Sequence, residues 1–456
     1  MSTPQDSHPV PDSAHRPRPG ELAATPRQPR LWAHPLRWLF GYEGIPYLAG
    51  PTFRRDFISQ VFFSLGIAMM VPELTRLFVQ EHLGGGKWLV ALLMAEFAAG
   101  NFTGAFLSHW LQKRKRVPLV AAARYGVAAV LAGIALMPAN RSMAAVYTII
   151  LAVPTFLCAV NLNTTISVRH ANYPDSVRGR IYSRFHMTNL AIILVSVQLA
   201  SGALDLWPWA YRVLYPLAGT CMAISGWTFS RIRVRSEKAM LREHHARREP
   251  MAILAGFKLF RRDRRYGRFM LLQMVSGSMV LMINSVWAIV LKSDMDYSYS
   301  QSSLALTLVP FGVALCTAPI FGRLFDRIGM SYYRAAGAAL WAGGRMILFA
   351  GVVYASFGLI LVGFAVQGLG RSIGGFAFGI AHTRFAPPGQ SQTYMGLHMT
   401  LQGLRGMTMP FLGVWLYYNT SLGPSVVLWA GVVQMLAAVG FAINGIVMRE
   451  RGADQS

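Results

Sequence analysis

Charge is scarce in this chain, and what there is has one dominant sign. Only 14% of the 456 residues are Asp, Glu, Lys or Arg, against 54% apolar residues, whereas a soluble globular chain carries about a quarter charged residues. Acidic residues are the rarer kind, 19 against 43 basic ones, leaving a net charge of +24. A soluble nucleic-acid binder spreads such an excess over a polar surface. Here the basic residues sit in short clusters between long uncharged runs. That pattern excludes nucleic acid as a partner and reads as a topology signal. Cysteine is nearly absent: Cys158, Cys221 and Cys316 lie inside apolar runs, at no metal or disulfide spacing, and read as small buried hydrophobes. Enzyme motifs are missing too. There is no H-E-x-x-H, no nucleophile elbow, no paired aspartates in adjacent runs and no G-x-x-x-x-G-K-[ST] loop. Nothing therefore supports an intramembrane enzyme or a built-in ATPase, and no catalytic residue, metal ligand or cofactor is expected.

What the chain has in quantity is apolar runs of about twenty residues, the length that crosses a bilayer. Backbone groups in hydrocarbon need internal partners, so each run must be a helix. The runs fall near 57–80, 88–109, 117–138, 143–163, 187–204, 208–230, 268–291, 302–322, 332–353, 357–380, 397–418 and 424–448. The expected fold is an all-α membrane protein with 12 transmembrane helices as two six-helix repeats. Its parts are a tail over 1–54, bundles over 55–230 and 268–448, a basic linker over 231–267 and a short tail over 449–456. Met1–Arg30 holds no apolar run and is rich in Pro, Arg, Ser and His, so it reads as disordered. Leu31–Arg55, with Trp32, Trp38, Phe40 and Tyr42, can lie along the membrane surface.

Alternate connections hold the positive charge. Lys113–Arg116, Arg178, Arg180, Arg184, Arg323, Arg327, Arg334 and Arg384 fall on one side; the other has Lys87, Arg141 and Lys292, the last answered by Asp294 and Asp296. Both termini are thus expected in the cytoplasm, with the chain in the cell inner membrane. The linker is the most basic stretch, with Arg247, Arg248, Arg261, Arg262, Arg264 and Arg265. Within it, the apolar stripe of Met251–Phe260 fits an anionic lipid surface, and a solvated linker fits equally.

The two halves repeat. His170, Tyr182, His186, Met187 and Thr188 are matched at one constant offset by His382, Tyr394, His398, Met399 and Thr400. Arg55 and Gln60 recur one residue further on as Arg268 and Gln273. A period this long means duplication of a whole six-helix bundle, and two such repeats place a solute path between them near mid-membrane. The four histidines cluster near one end of their helices, where a pH-sensitive gate or an inherited packing feature would both fit.

Between the eighth and ninth runs stands Gly322-Arg323-Leu324-Phe325-Asp326-Arg327-Ile328-Gly329. This resembles the signature loop G-x-L-x-D-R-x-G of the major facilitator superfamily, in the place of its second-half copy. The resemblance covers the whole membrane region. It implies that Gly322, Asp326, Arg327 and Gly329 form a gating latch, with Asp326 facing the start of the fifth helix near Arg184–Thr188. The first-half copy departs from the pattern: after Gly104, Ser108 stands where the family has its aspartate and His109 where it has its arginine. Gly368-Leu369-Gly370-Arg371 is loosely similar to the family's intramembrane arginine motif. Gly406, Pro410 and Gly413 are loosely similar to its glycine-proline motif.

Ionisable groups inside hydrocarbon are costly, so each is a candidate. Glu73 and Arg76 lie one turn apart on the first span, and Glu96 lies at similar depth on the second. Either carboxylate can carry a coupling proton or form an ion pair with Arg76. Arg345, Arg371 and Arg405 fall in the second half. By the family resemblance Arg371 lines the cavity, and with Arg405 it can offer a fork to an anionic solute. Asn284, Gln273, Ser276, Ser278 and Trp287 on the seventh span, and Asn161, Asn163 and Thr164 on the fourth, can line a cavity or join helices. The expected protein is a monomeric, proton-coupled secondary transporter of a small solute; a transport-inactive scaffold is the alternative.

Overall fold

The computed structural model describes residues 50–448, except 113, 174, 235–236, 238–240, 243–258, 260–261, 381–384 and 387–390. For 101, 103–112, 163, 175–180, 183, 326, 376, 378–380, 391–393 and 396 it describes the backbone. The terminal tails and nearly all of Met251–Phe260 therefore lie outside the described residues, as does His382.

Apolar length dictates what is seen. The described residues contain twelve long helices, nine of them long and apolar enough to cross a bilayer. They are α1 (Gly50–Glu81), α2 (Lys87–Gln112), α3 (Arg116–Ile134), α4 (Met143–Asn172), α5 (Asp175–Leu206) and α6 (Tyr211–Ser230), then α7 (Arg264–Asp294), α8 (Tyr299–Arg327), α9 (Met330–Val353), α10 (Phe357–Ile380), α11 (Ser391–Asn419) and α12 (Ser425–Val447). Each matches one expected run. Several are longer: α4 continues to Asn172, α5 begins at Asp175 and α1 begins at Gly50. Polar residues there extend the helix past its apolar stretch, because backbone bonds propagate readily once a helix is nucleated. Gly50–Arg55 is thus the first part of α1 and no separate surface segment.

The packing repeats with the chain. In the first half α1 packs on α5 and α6, α2 on α4, and α3 on α4 and α6. In the second half α7 packs on α11 and α12, α8 on α10, and α9 on α10 and α12. Every pair recurs six helices later. The halves meet through α2 with α11 and α5 with α8, which is the same contact under exchange of the two bundles.

Small residues permit these approaches. A methyl group added at Gly413 would lie 2.0 Å from Met282 O on α7, and one at Gly406 would lie 2.2 Å from Ala98 Cβ on α2. At Gly368 it would lie 2.7 Å from Pro310 O on α8. Close backbone approach replaces hydrophobic driving force where lipid is as apolar as the helix.

Prolines break two helices at matching depth. In α1, Val71 is extended before Pro72, after a 3₁₀ turn at Ala68–Met70. In α8, Pro310 has no N–H to donate, and the chain passes a π-turn at Leu304–Leu308 just before it.

Each bundle also has its own arginine clamp. Arg124 on α3, 1% exposed, donates from Nε to Asn161 Oδ1 on α4 at 2.9 Å and from Nη1 to Ser225 Oγ on α6 at 2.7 Å, and it reaches Ser59 Oγ on α1. Arg345 on α9 donates from Nη1 to Gln434 Oε1 on α12 at 2.5 Å, and Gln434 Nε2 donates to Ser276 Oγ on α7 at 2.7 Å. Both clamps tie the third helix of a bundle to its sixth and, directly or through Gln434, to its first.

Candidate functional site

The polar residues that lie between the bundles, and not within one, gather at the proline breaks. Glu73, Arg76, Asn284, Trp287, Leu306, Pro310, Phe364, Gln367 and Arg371 enclose a narrow cavity of about 10 Å³. They come from α7, α8 and α10 of the second bundle and from α1 of the first.

Arg76 is anchored by carbonyls. Its Nε donates to Pro72 O at 2.8 Å, Nη1 donates to Asn284 O on α7, and Nη2 lies 3.9 Å from Glu73 Oε1. Pro72 O lies one turn before Arg76 on the same helical segment and accepts this bond with its second lone pair. Arg76 is 2% exposed and Glu73 14%. Arg371 comes from α10, where Gly368 seats the helix against Pro310 and Gly370 seats it against Trp341 of α9. Its guanidinium lies 4.0 Å from the centre of the Phe311 ring. Arg371 is within electrostatic reach of both Arg76 and Glu73. The cavity therefore holds two guanidinium groups and one carboxylate. Trp287 meets Phe364 edge-on at 5.3 Å and closes one wall.

Five residues marked out from the sequence, Glu73, Arg76, Asn284, Trp287 and Arg371, are thus brought together. Others are not. Arg405 sends Nη1 to Gln273 O on α7 at 2.6 Å and Nη2 to Gln402 Oε1, with its guanidinium lying over Gly277. It makes no fork with Arg371 and joins Gln273 in tying α11 to α7. Asn161 serves the Arg124 clamp. Glu96 is half-buried on α2 and has no ion pair among the described residues; the carboxylate that faces Arg76 is Glu73.

In the signature loop, α8 ends at Arg327 and α9 begins at Met330, a tight turn. Gly322 is half-buried, Arg323 and Arg327 are exposed, and Gly329 is buried at the N-cap of α9 with φ −60°. The side chain of Asp326 lies outside the described residues, as do those of Ser108 and His109 and any contact of Gly104. His170 and His186 are exposed, and His398 is buried.

Two polar groups escaped the sequence reading. One is a buried network at the linker-side end of the first bundle. Arg169 on α4 forms two bonds to Asp56 on α1, at 2.9 and 3.0 Å, and a third to Gln60 Oε1 at 2.8 Å. Tyr173 donates to the same carboxylate at 3.0 Å. Asp56 follows Arg54 and Arg55 directly in the sequence; its place on the inward face of α1 was the signal available.

The second is a set of bonds at the opposite end, where the two halves touch. Asp205 at the end of α5 accepts from Tyr299 N and Ser300 N at 2.8 Å each, capping α8. His82 after α1 contacts Tyr299 Oη at 2.5 Å and Pro208 O at 2.8 Å. Lys292 pairs with Glu81 at 3.0 Å, and not with Asp294 or Asp296; Asp294 accepts instead from Tyr417 and Tyr418. Gln80 Nε2 donates to Ser293 Oγ at 2.6 Å. Burial holds the His82 imidazole below its ordinary pKa of 6.5. A carbonyl can only accept, so Nε2 carries the proton and Nδ1 accepts from Tyr299.

Solved structures share this architecture. A POT family transporter in complex with 5-aminolevulinic acid superposes with a TM-score of 0.67 at 13% identity, over 88% of this chain and 97% of that one. A nucleoside transporter gives 0.65 at 12% identity, over 86% and 99%. A D-xylose-proton symporter gives 0.59 at 14% identity, over 86% and 97%. No curated protein sequence matches the chain. Residues 57–329, more than half of the chain, match the Major Facilitator Superfamily. With that match beneath its two repeating six-helix bundles, the chain belongs to the Major Facilitator Superfamily.

Proposed function

We propose that this protein is a secondary transporter that moves a small solute across the cytoplasmic membrane by alternating access, with the cavity between α1, α7, α8 and α10 as its solute site. The observation that carries this reading is the placement of Glu73, Arg76 and Arg371 around an internal space where the two bundles face each other. Buried charges at such a junction gain a counterion or water whenever the bundles rock apart, and lose it when they close. The contacts of His82, Asp205 and Glu81 seal the end remote from the linker. With the linker in the cytoplasm by its basic charge, the conformation is closed toward the outside.

Glu73 is the proposed coupling carboxylate. It lies near-buried beside two arginines, and protonation frees Arg76 from its only acidic partner among the described residues. Glu96, half-buried without an ion pair, is the second candidate. The test is uptake into proteoliposomes of purified protein, with a panel of labelled amino acids, carboxylates, sugars and nucleosides, driven by an imposed proton gradient. Glu73→Gln is expected to abolish gradient-driven accumulation while leaving exchange of the same solute. Unchanged accumulation in both Glu73→Gln and Glu96→Gln would remove the proton from the mechanism. Absence of transport for every class would favour the scaffold reading that the altered Ser108 and His109 positions keep open.

A further inference from the structure

The hydrogen-bonding groups left unmatched around the cavity are all of one kind. Trp287 Nε1, Gln367 Nε2 and Arg371 Nε are buried and have no partner among the described residues. All three are donors. They belong to α7 and α10, and all three residues line the cavity that Arg76 closes from α1. No side-chain acceptor of a lining residue is left buried and unmatched there. An unmet buried donor is destabilising, and three in one wall call for an acceptor-rich guest.

The charges agree. Arg76 and Arg371 outnumber Glu73 by one, and Glu73 is the only carboxylate in the wall. One negative charge in the guest brings the site to neutrality; an ammonium group finds no free acid to pair with. The rest of the wall is apolar and ring-rich: Trp287, Leu306, Pro310 and Phe364, with Phe311 beneath the Arg371 guanidinium. In this closed arrangement the enclosed space is about 10 Å³, room for about one water, so a larger guest enters only as the bundles part.

We propose that the cavity binds a small organic monoanion, a carboxylate or similar oxyanion on a flat apolar body, held by Arg371, Gln367 and Trp287. The assignment rests on this cavity being the solute site. Because Arg76 comes from the first half and Arg371 from the second, the oxyanion also joins the two bundles: it relieves the repulsion between their guanidinium groups as they close.

The test uses full-length purified protein and four probes of one shape: benzoate, benzamide, benzylamine and phthalate. Binding is read by thermal shift and by quenching of tryptophan fluorescence. Benzoate is expected to bind about 10-fold or more tightly than benzamide, a factor set by one charge-assisted hydrogen bond. Benzylamine is expected not to bind, and phthalate to bind more weakly than benzoate. Arg371→Ala should lose benzoate binding by about 10-fold or more, Arg371→Lys should retain part of it, and Trp287→Phe, which keeps a ring and removes one donor, should weaken it. Equal binding of benzamide and benzoate, or unchanged benzoate affinity in Arg371→Ala, overturns the proposal, as does failure of both acids to bind. If a neutral sugar is carried equally well by wild type and Arg371→Ala, the anion site falls and the transporter reading stands. If benzoate binds as expected and no solute is moved into liposomes, the anion site stands and the transporter reading falls.

Discussion

Single side chains decide how charge survives in this membrane interior. Asp56 is 2% exposed and satisfies Arg169 and Tyr173 together. Removing one member of a buried pair leaves the other uncompensated, at a cost of about 3–5 kcal/mol. Asp56→Asn is therefore expected to lower the thermal unfolding temperature in detergent strongly, and the double change Asp56→Asn with Arg169→Leu to recover much of the loss. A double variant no more stable than the single one would deny the pair this role. His82 gives a pH dependence with a definite sign. Burial disfavours its charged form in the sealed arrangement, so the seal is fully supported above the ordinary imidazole pKa and loses support as pH falls below it. Its neighbours are Tyr299, Tyr211, Phe78 and Pro208, with Glu81 already paired to Lys292. Labelling at a cysteine placed near Arg76 from the outer side should rise from pH 7.5 to pH 5.5, and His82→Gln should flatten that rise. Arg124, the partner of Arg345 in the other bundle, was hidden in the apolar run Ala121–Val127. Single residues of this kind carry no periodic signal.

At the scale of elements, breaks and close approaches shape the site. Pro72 and Pro310 interrupt α1 and α8 where the cavity lies. Glycines do the rest. At Gly413 an added methyl would overlap a main-chain carbonyl of α7, which cannot move aside as a flexible side chain can. Gly413→Ala is expected to separate α11 from α7 and destabilise the second bundle by about 1–3 kcal/mol, read as a lower unfolding temperature. Gly312→Ala, with nothing near its added methyl, serves as the comparison and should be nearly neutral. All twelve helices were legible in the apolar runs, because hydrocarbon leaves the backbone no alternative to the helix. Their polar extensions, as in Gly50–Arg55, were not, because those turns follow from helix continuity and packing.

For the whole molecule, the duplicated pairing gives two bundles of like packing, with a cluster of bonds between the halves at one end. Asp205 is the main charged group that crosses from α5 to the start of α8. Asp205→Ala is expected to shift the population toward the outward-open form, seen as faster outer-side labelling of a cysteine introduced at Trp287. Joining Gln80→Cys to Ser293→Cys with a short bifunctional reagent, in a background with Cys158, Cys221 and Cys316 replaced by Ser, should hold the seal closed and stop transport. Transport that survives the cross-link would show that the bundles do not part there.

The sequence by itself determined the class of solution: apolar runs of bilayer length can only be helices, and the internal repeat doubles a six-helix unit. It also named Glu73, Arg76, Asn284 and Arg371, because charge and polarity inside an apolar run stand out. Only the tertiary structure decided which of them share a space. Helices separated by two hundred residues meet through side-chain packing that no local pattern encodes, and that packing sent Arg405 to α7, Asn161 to Arg124 and Lys292 to Glu81.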